Sequence, residues 1–235
     1  PHSTAKVHPL TRDLQPDRAG PTSGAVASPA ARLPRARERW LATAAALAVL
    51  AALAQLMTYG YGRDQGIYAV VGRTVLEGGA PYRDAFDFKP PGIFLVYAAA
   101  RALCGSGPWG IRLVEACGLG CTAAGLVVLA RRLWGDARIG WIAAALAALA
   151  HAELDFWHTA QPESFGGMIT IAGLRVVAGR GAGPALRPVQ GNAWRYLCCG
   201  LLFGCAGLLK PPLAGGGAVL ALAAAIQAVR SDPSG

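Results

Sequence analysis

The chain has 235 residues, 54% of them hydrophobic and 15% charged, with a formal net charge of +9 and a mean hydropathy of +0.37. A soluble domain carries roughly a quarter charged residues, so this composition excludes an ordinary soluble globular fold. The arginines stand in short clusters between apolar runs, the pattern of a topology signal rather than of a nucleic-acid-binding face, and no nucleic-acid partner is expected. Ala, Leu, Val and Gly dominate, which suits closely packed helices in lipid. The alternating polarity of a membrane β-barrel is missing. The expected fold is an all-α polytopic transmembrane bundle.

Residues 1–39 are rich in Pro, Ser, Ala and Arg and are expected to form a disordered basic cytoplasmic tail. Arg32, Arg35, Arg37 and Arg39 close it. Trp40 to Tyr59 is uncharged and long enough to span a hydrocarbon core of ~30 Å, and its basic flank puts the N-terminus in the cytoplasm. A signal peptide is the competing reading, because Ala52-Leu53-Ala54 resembles a cleavage site. Residues 40–229 form the expected membrane domain, with a first outer loop at 60–110 and a short tail at 230–235. In that loop, Ile67, Val70, Val71, Thr74 and Val75 predict an amphipathic helix that Gly78-Gly79 ends. Pro91 to Leu103 is apolar but short, as an interfacial helix would be.

Charge decides whether that short run crosses. If it stays on the outer side, Arg131, Arg132, Arg138, Arg175, Arg180, Arg187, Arg195 and Arg230 all fall on the cytoplasmic side. Six spans with both ends inside then follow: Trp40–Tyr59, Ile111–Leu129, Ile139–Ala152, Ser164–Val177, Tyr196–Leu209 and Leu213–Val229. The expected location is a plasma membrane, bacterial by type. The six cysteines lie in or beside apolar runs and read as small core residues. The chain begins without Met and stops soon after an apolar run, as a fragment would.

The outer loops hold the chemistry-bearing side chains. The first contains Arg63-Asp64 and Pro81-Tyr-Arg-Asp84-Ala-Phe-Asp87-Phe-Lys89-Pro-Pro-Gly92; the second contains His151, Glu153, Asp155, His158 and Gln161-Pro-Glu163. A carboxylate such as Asp64 can take a hydroxyl proton, an effect worth ~10²–10⁴ in rate. Lys89, with Arg63 or Arg83, can neutralise a departing phosphate. Each residue also has a structural alternative. Asp64 would cap a helix, Lys89 would snorkel, and Asp84 and Asp87 would form turns. Glu163 would favour a helix N-terminus, and Arg112 and Glu115, three apart, would pair on a helix. His151 and His158, seven apart, would share a helix face, and Lys210 would be an anchor or a substrate contact.

An Asp opening an amphipathic helix after the first span, followed by Gly-Gly-Ala-Pro-Tyr-Arg-Asp84 and Phe86-Asp-Phe-Lys-Pro-Pro-Gly92, resembles the GT-C membrane glycosyltransferases, the protein mannosyltransferase and aminoarabinose transferase group. The Arg-Arg-Leu-Trp-Gly135 and Leu-Leu-Lys210-Pro-Pro turns are similar to that family as well, and the likeness runs over its N-terminal half. The resemblance implies transfer of a sugar from a polyprenyl-phosphate donor to an acceptor outside the cytoplasm. It makes Asp64 the catalytic carboxylate, Lys89 the contact to the lipid phosphate and Glu163 the acid of the second outer loop. Arg63, Arg83 and Asp87 are further substrate-binding candidates. Many family members have Asp-Glu where Asp64-Gln65 stands, and some place an acid where Phe88 stands. Both departures weaken the case for a bound divalent metal, which stays an open alternative, and no cofactor is assigned. The competing functions are a secondary transporter, which would carry charges or broken helices at mid-membrane, and a non-catalytic assembly protein.

Overall fold

The structure, a computed structural model, describes residues 35–178 and 193–231. These are all-helical, with one isolated bridge between Pro81 and Ala85 and no strand among the described residues. The helices are α1 (Arg35–Leu56), α2 (Arg63–Leu76), α3 (Gly92–Cys104), α4 (Pro108–Trp134) and α5 (Ala137–Glu153). After the one-turn α6 (Asp155–His158) come α7 (Pro162–Val177), α8 (Ala193–Leu209), a 3₁₀ turn (Pro211–Ala214) and α9 (Gly215–Ser231). The tail expected at 1–39 falls largely outside the described residues, as do most of the inner loop at 179–195 and the last four residues. Its last five positions, 35–39, belong to α1 instead.

Local sequence accounts for the helix ends. Pro108 and Pro162 occupy first-turn positions of α4 and α7, where the missing N–H costs nothing. Gly135 closes α4 in the left-handed conformation (φ 70°), with its N–H donating to the Arg131 carbonyl at 3.1 Å. Asp136 caps α5 by accepting the Arg138 N–H at 2.8 Å.

Long-range contacts fix helix direction. The Tyr59 hydroxyl, just past α1, donates to the Ala152 carbonyl at 2.9 Å, so α1 and α5 end together. Arg112 near the start of α4 donates to Gly60 O and to Thr159 Oγ1, both at 2.8 Å. Lys210, after α8, pairs with Glu163 at the start of α7. At the other end, Arg132 in the last turn of α4 donates to the Arg175 carbonyl in the last turn of α7 at 2.7 Å. The helices α1, α4, α5, α7, α8 and α9 thus alternate in direction. Arg131, Arg132, Arg138, Arg175 and Arg195 gather at one end, and α2 and α3 lie at the other.

The short α3 does not run the length of this bundle. Its first residue abuts the C-terminus of α8, where a Cβ on Gly92 would come within 2.6 Å of the Leu208 carbonyl. Its last turn joins the start of α4 through Gly105, at φ 86°. Both ends of α3 therefore meet the same end of the bundle. Its buried residues Ile93, Phe94 and Tyr97 pack with Tyr68 and Val71 of α2, Ile111 of α4 and Phe165 of α7. A second core joins α1, α4 and α5 through Val49, Ala52, Leu56, Leu119, Ala123, Val127 and the alanines 144, 148 and 152. Small residues let these helices approach closely: a Cβ on Gly140 would stand 2.4 Å from the Val127 Cα.

Two helices are long and apolar enough to cross a membrane, Ala36–Leu56 and Pro108–Trp134. The other long helices, α5, α7, α8 and α9, have 16 or 17 residues, or about 24–26 Å at 1.5 Å per residue.

Candidate functional site

A cavity of about 1170 Å³ opens among the start of α2, helices α4, α5 and α7, the α6 segment and the 3₁₀ turn. Its polar part lies at the end of the bundle that carries α2 and α3. Arg63, Asp64, Lys89, His151, His158 and Glu163 line that part, although they come from segments up to a hundred residues apart. Toward the arginine-rich end the wall turns apolar, with Leu119, Leu126, Ala143, Ala147 and Ile171.

Asp64 sits in the first turn of α2. The N-cap is Gly62, with no side-chain hydrogen bond, so Asp64 is not the capping residue that its position suggests. A carboxylate there still complements the helix dipole. Across the mouth, Glu163 pairs with Lys210. Burial raises the Glu163 pKa, but the Lys210 hydrogen bond and the charges of Lys210 and Lys89 outweigh it, and the net effect is to lower it. Glu163 is thus an ionised, partnered carboxylate. Lys89 has its Nζ 5.1 Å from the Phe88 ring centroid. Among the described residues neither Lys89 nor Arg63 belongs to an ion pair. Among the described residues the cavity mouth therefore presents two cations outside any ion pair.

Asp87 is buried, at 8% exposure, and does not line the cavity. Tyr68 shows the grouping: burial raises its pKa first, and then the charges of Asp64, Asp87 and Glu163 raise it further. Its hydroxyl donates to Gln161 Oε1 at 2.9 Å. Arg83 is not brought to the cavity. It is exposed and pairs with its neighbour Asp84 at 2.7 Å. That Arg83 hydrogen bond, with the Ala80 N–H, holds the Asp84 carboxyl at about 2. Asp84 closes a turn, since its own N–H also donates to Ala80 O at 3.0 Å.

Beneath the mouth lies a buried polar network. Arg112 and Glu115, both fully buried, pair at 2.9 Å. Spacing within α4 had made the pair legible, but not its burial or its partners. Glu115 Oε1 meets His151 Nε2 at 2.9 Å and also accepts the Ala160 N–H. Ala160 is held at φ 52°, a strained position for a residue with a Cβ, and its carbonyl accepts from the Tyr97 hydroxyl at 3.0 Å. The Gln65 amide donates to the carbonyls of Phe156 and Thr159, the latter at 2.7 Å. A carboxylate at position 65 could not donate to these carbonyls, which accounts for Gln65. Together these bonds clamp the segment from Asp155 to Gln161 against the starts of α2 and α4.

Among the described residues no group of three or more His, Cys, Asp or Glu side chains is arranged to hold a metal ion. No known protein-family model, curated protein or solved structure matches this chain.

Proposed function

We propose that the chain belongs to a membrane glycosyltransferase that moves a sugar from a polyprenyl-phosphate donor to an acceptor on the extracytoplasmic face. The observation that carries this reading is the cavity's division into a charged mouth and an apolar wall. Arg63 and Lys89, neither in an ion pair, suit the phosphate, and Asp64 beside them supplies a carboxylate at the reacting carbon. The surfaces of α4, α5 and α7 suit a polyprenyl tail.

The same reading makes α1, α4, α5, α7, α8 and α9 six crossings and α2 and α3 interfacial helices. It is supported by the arginines gathered at one end and by large apolar side chains facing outward, among them Leu47, Leu50, Leu146, Leu201, Val219 and Leu222. Such a surface is costly in water and at home in lipid. The N-terminus is then cytoplasmic, in a bacterial-type plasma membrane. A transporter is disfavoured, because the free charges sit at a bundle end and not at mid-bundle.

Photo-crosslinking tests the reading. A polyprenyl phosphate carrying a diazirine near the phosphate end of its chain, in vesicles with the reconstituted protein, is expected to label the segments 119–126, 143–147 and 167–171. Labelling confined to the outer faces of α8 and α9 would contradict it.

A further inference from the structure

We propose that His151 is the proton acceptor of this cavity and that Glu115 is the residue that positions it. The assignment rests on the transferase reading and deepens it.

The argument starts from the carboxylate. Both Glu115 oxygens are occupied as acceptors: Oε2 by Arg112 Nη1 at 2.9 Å, and Oε1 by the Ala160 N–H and by His151. Arg112 and Ala160 N can only donate, so Glu115 is an ionised acceptor, and His151 must present Nε2–H to it. In the neutral imidazole the lone pair is then on Nδ1, which has no hydrogen-bond partner among the described residues. The ring is otherwise well packed, at 11% side-chain exposure, and it lines the cavity. A carboxylate that fixes a histidine tautomer and leaves the other nitrogen unbonded, on a ring that lines a cavity, is the arrangement of a general base. The reason for burying an ion pair here becomes chemical: Arg112 balances the Glu115 charge so that the carboxylate can hold His151 and the 155–161 segment together.

In the transfer step, the acceptor hydroxyl oxygen bonds to the anomeric carbon while the bond from that carbon to the phosphate oxygen breaks. The electron pair goes to the phosphate, beside Lys89 and Arg63. The hydroxyl proton goes to His151 Nδ1, and the resulting imidazolium is stabilised by Glu115. Asp64 then acts as the counter-charge for the positive character that develops on the anomeric carbon. His158 is a different case, since its Nδ1 is engaged at 3.2 Å with the carbonyl of Leu154, just before its own short helix, and among the described residues no carboxylate orients it.

Chemical rescue distinguishes the roles. His151→Ala in proteoliposomes is expected to lower kcat by ~10²–10⁴ with little change in donor KM, and added imidazole, small enough for the vacated space, is expected to restore at least ten-fold of the loss. Imidazole should not restore Asp64→Asn. Should His151→Ala unfold, His151→Gln is the second variant, expected to stay folded and inactive, and a folded and active Gln variant would overturn the assignment. Nitrogen NMR of the wild type should show the His151 proton on Nε2, and finding it on Nδ1 would also overturn it. An active wild type beside an active His151→Ala, or a loss that imidazole leaves untouched, removes this assignment alone. A wild type inert with every donor removes the transferase reading and this assignment with it.

Discussion

Asp64→Asn is expected to abolish measurable sugar transfer while leaving the protein folded and the lipid phosphate bound. The substitution keeps the shape of the side chain and removes its charge. Asp64 makes no cap and, among the described residues, belongs to no ion pair, so little of the fold depends on that charge. Losing one charge aimed at a reacting centre lowers kcat by about 10²–10³. Affinity for polyprenyl phosphate should stay within about threefold, because Lys89 and Arg63 are unchanged. The check is single-turnover transfer beside a binding isotherm for polyprenyl phosphate. A variant that turns over like the wild type would remove Asp64 from the chemistry.

The second large effect is structural. Arg112→Met is expected to destabilise the bundle by about 3–5 kcal/mol, the cost of leaving a buried charge without its partner. It strands Glu115 and at the same time removes the donors to Thr159 Oγ1 and Gly60 O. Arg112→Met with Glu115→Leu should recover much of that stability, since two apolar side chains can fill the volume without desolvating a charge. The double variant should nevertheless lose activity, because the Ala160 N–H and His151 lose the carboxylate that places them. Thermal unfolding in mild detergent measures the first part, and transfer measures the second. A single variant as stable as the wild type would contradict the structural role given to the pair.

How much of this was legible before the structure depends on the scale of the signal. Helix existence follows from apolar run length, and the end of the bundle where each helix starts follows from where arginine clusters stand. Hence α3 was readable as a helix that stays at one end, and the geometry at Gly92 and Gly105 agrees. Asp64, Lys89 and Glu163 were singled out through family resemblance and Arg63 through its charge, and all four side chains line the cavity. Arg83 was not separable from them by sequence, because its neighbour Asp84 captures it in a local turn that charge counting does not see. The buried network was harder still. Arg112 and Glu115 look like an ordinary surface pair at helical spacing. Their partners Gly60, His151, Thr159 and Ala160 lie tens of residues away in sequence, and one of them is a backbone N–H at a positive-φ alanine. Gln65 looked like the loss of an acid, yet its amide is what the facing carbonyls need.

The most direct test of the central claim is turnover by the wild-type protein, reconstituted in vesicles with a panel of polyprenyl-phosphate-linked hexoses and pentoses. The account predicts release of polyprenyl phosphate with transfer of at least one of these sugars to a hydroxyl acceptor. No release from any of them, by protein shown to be folded, would contradict it.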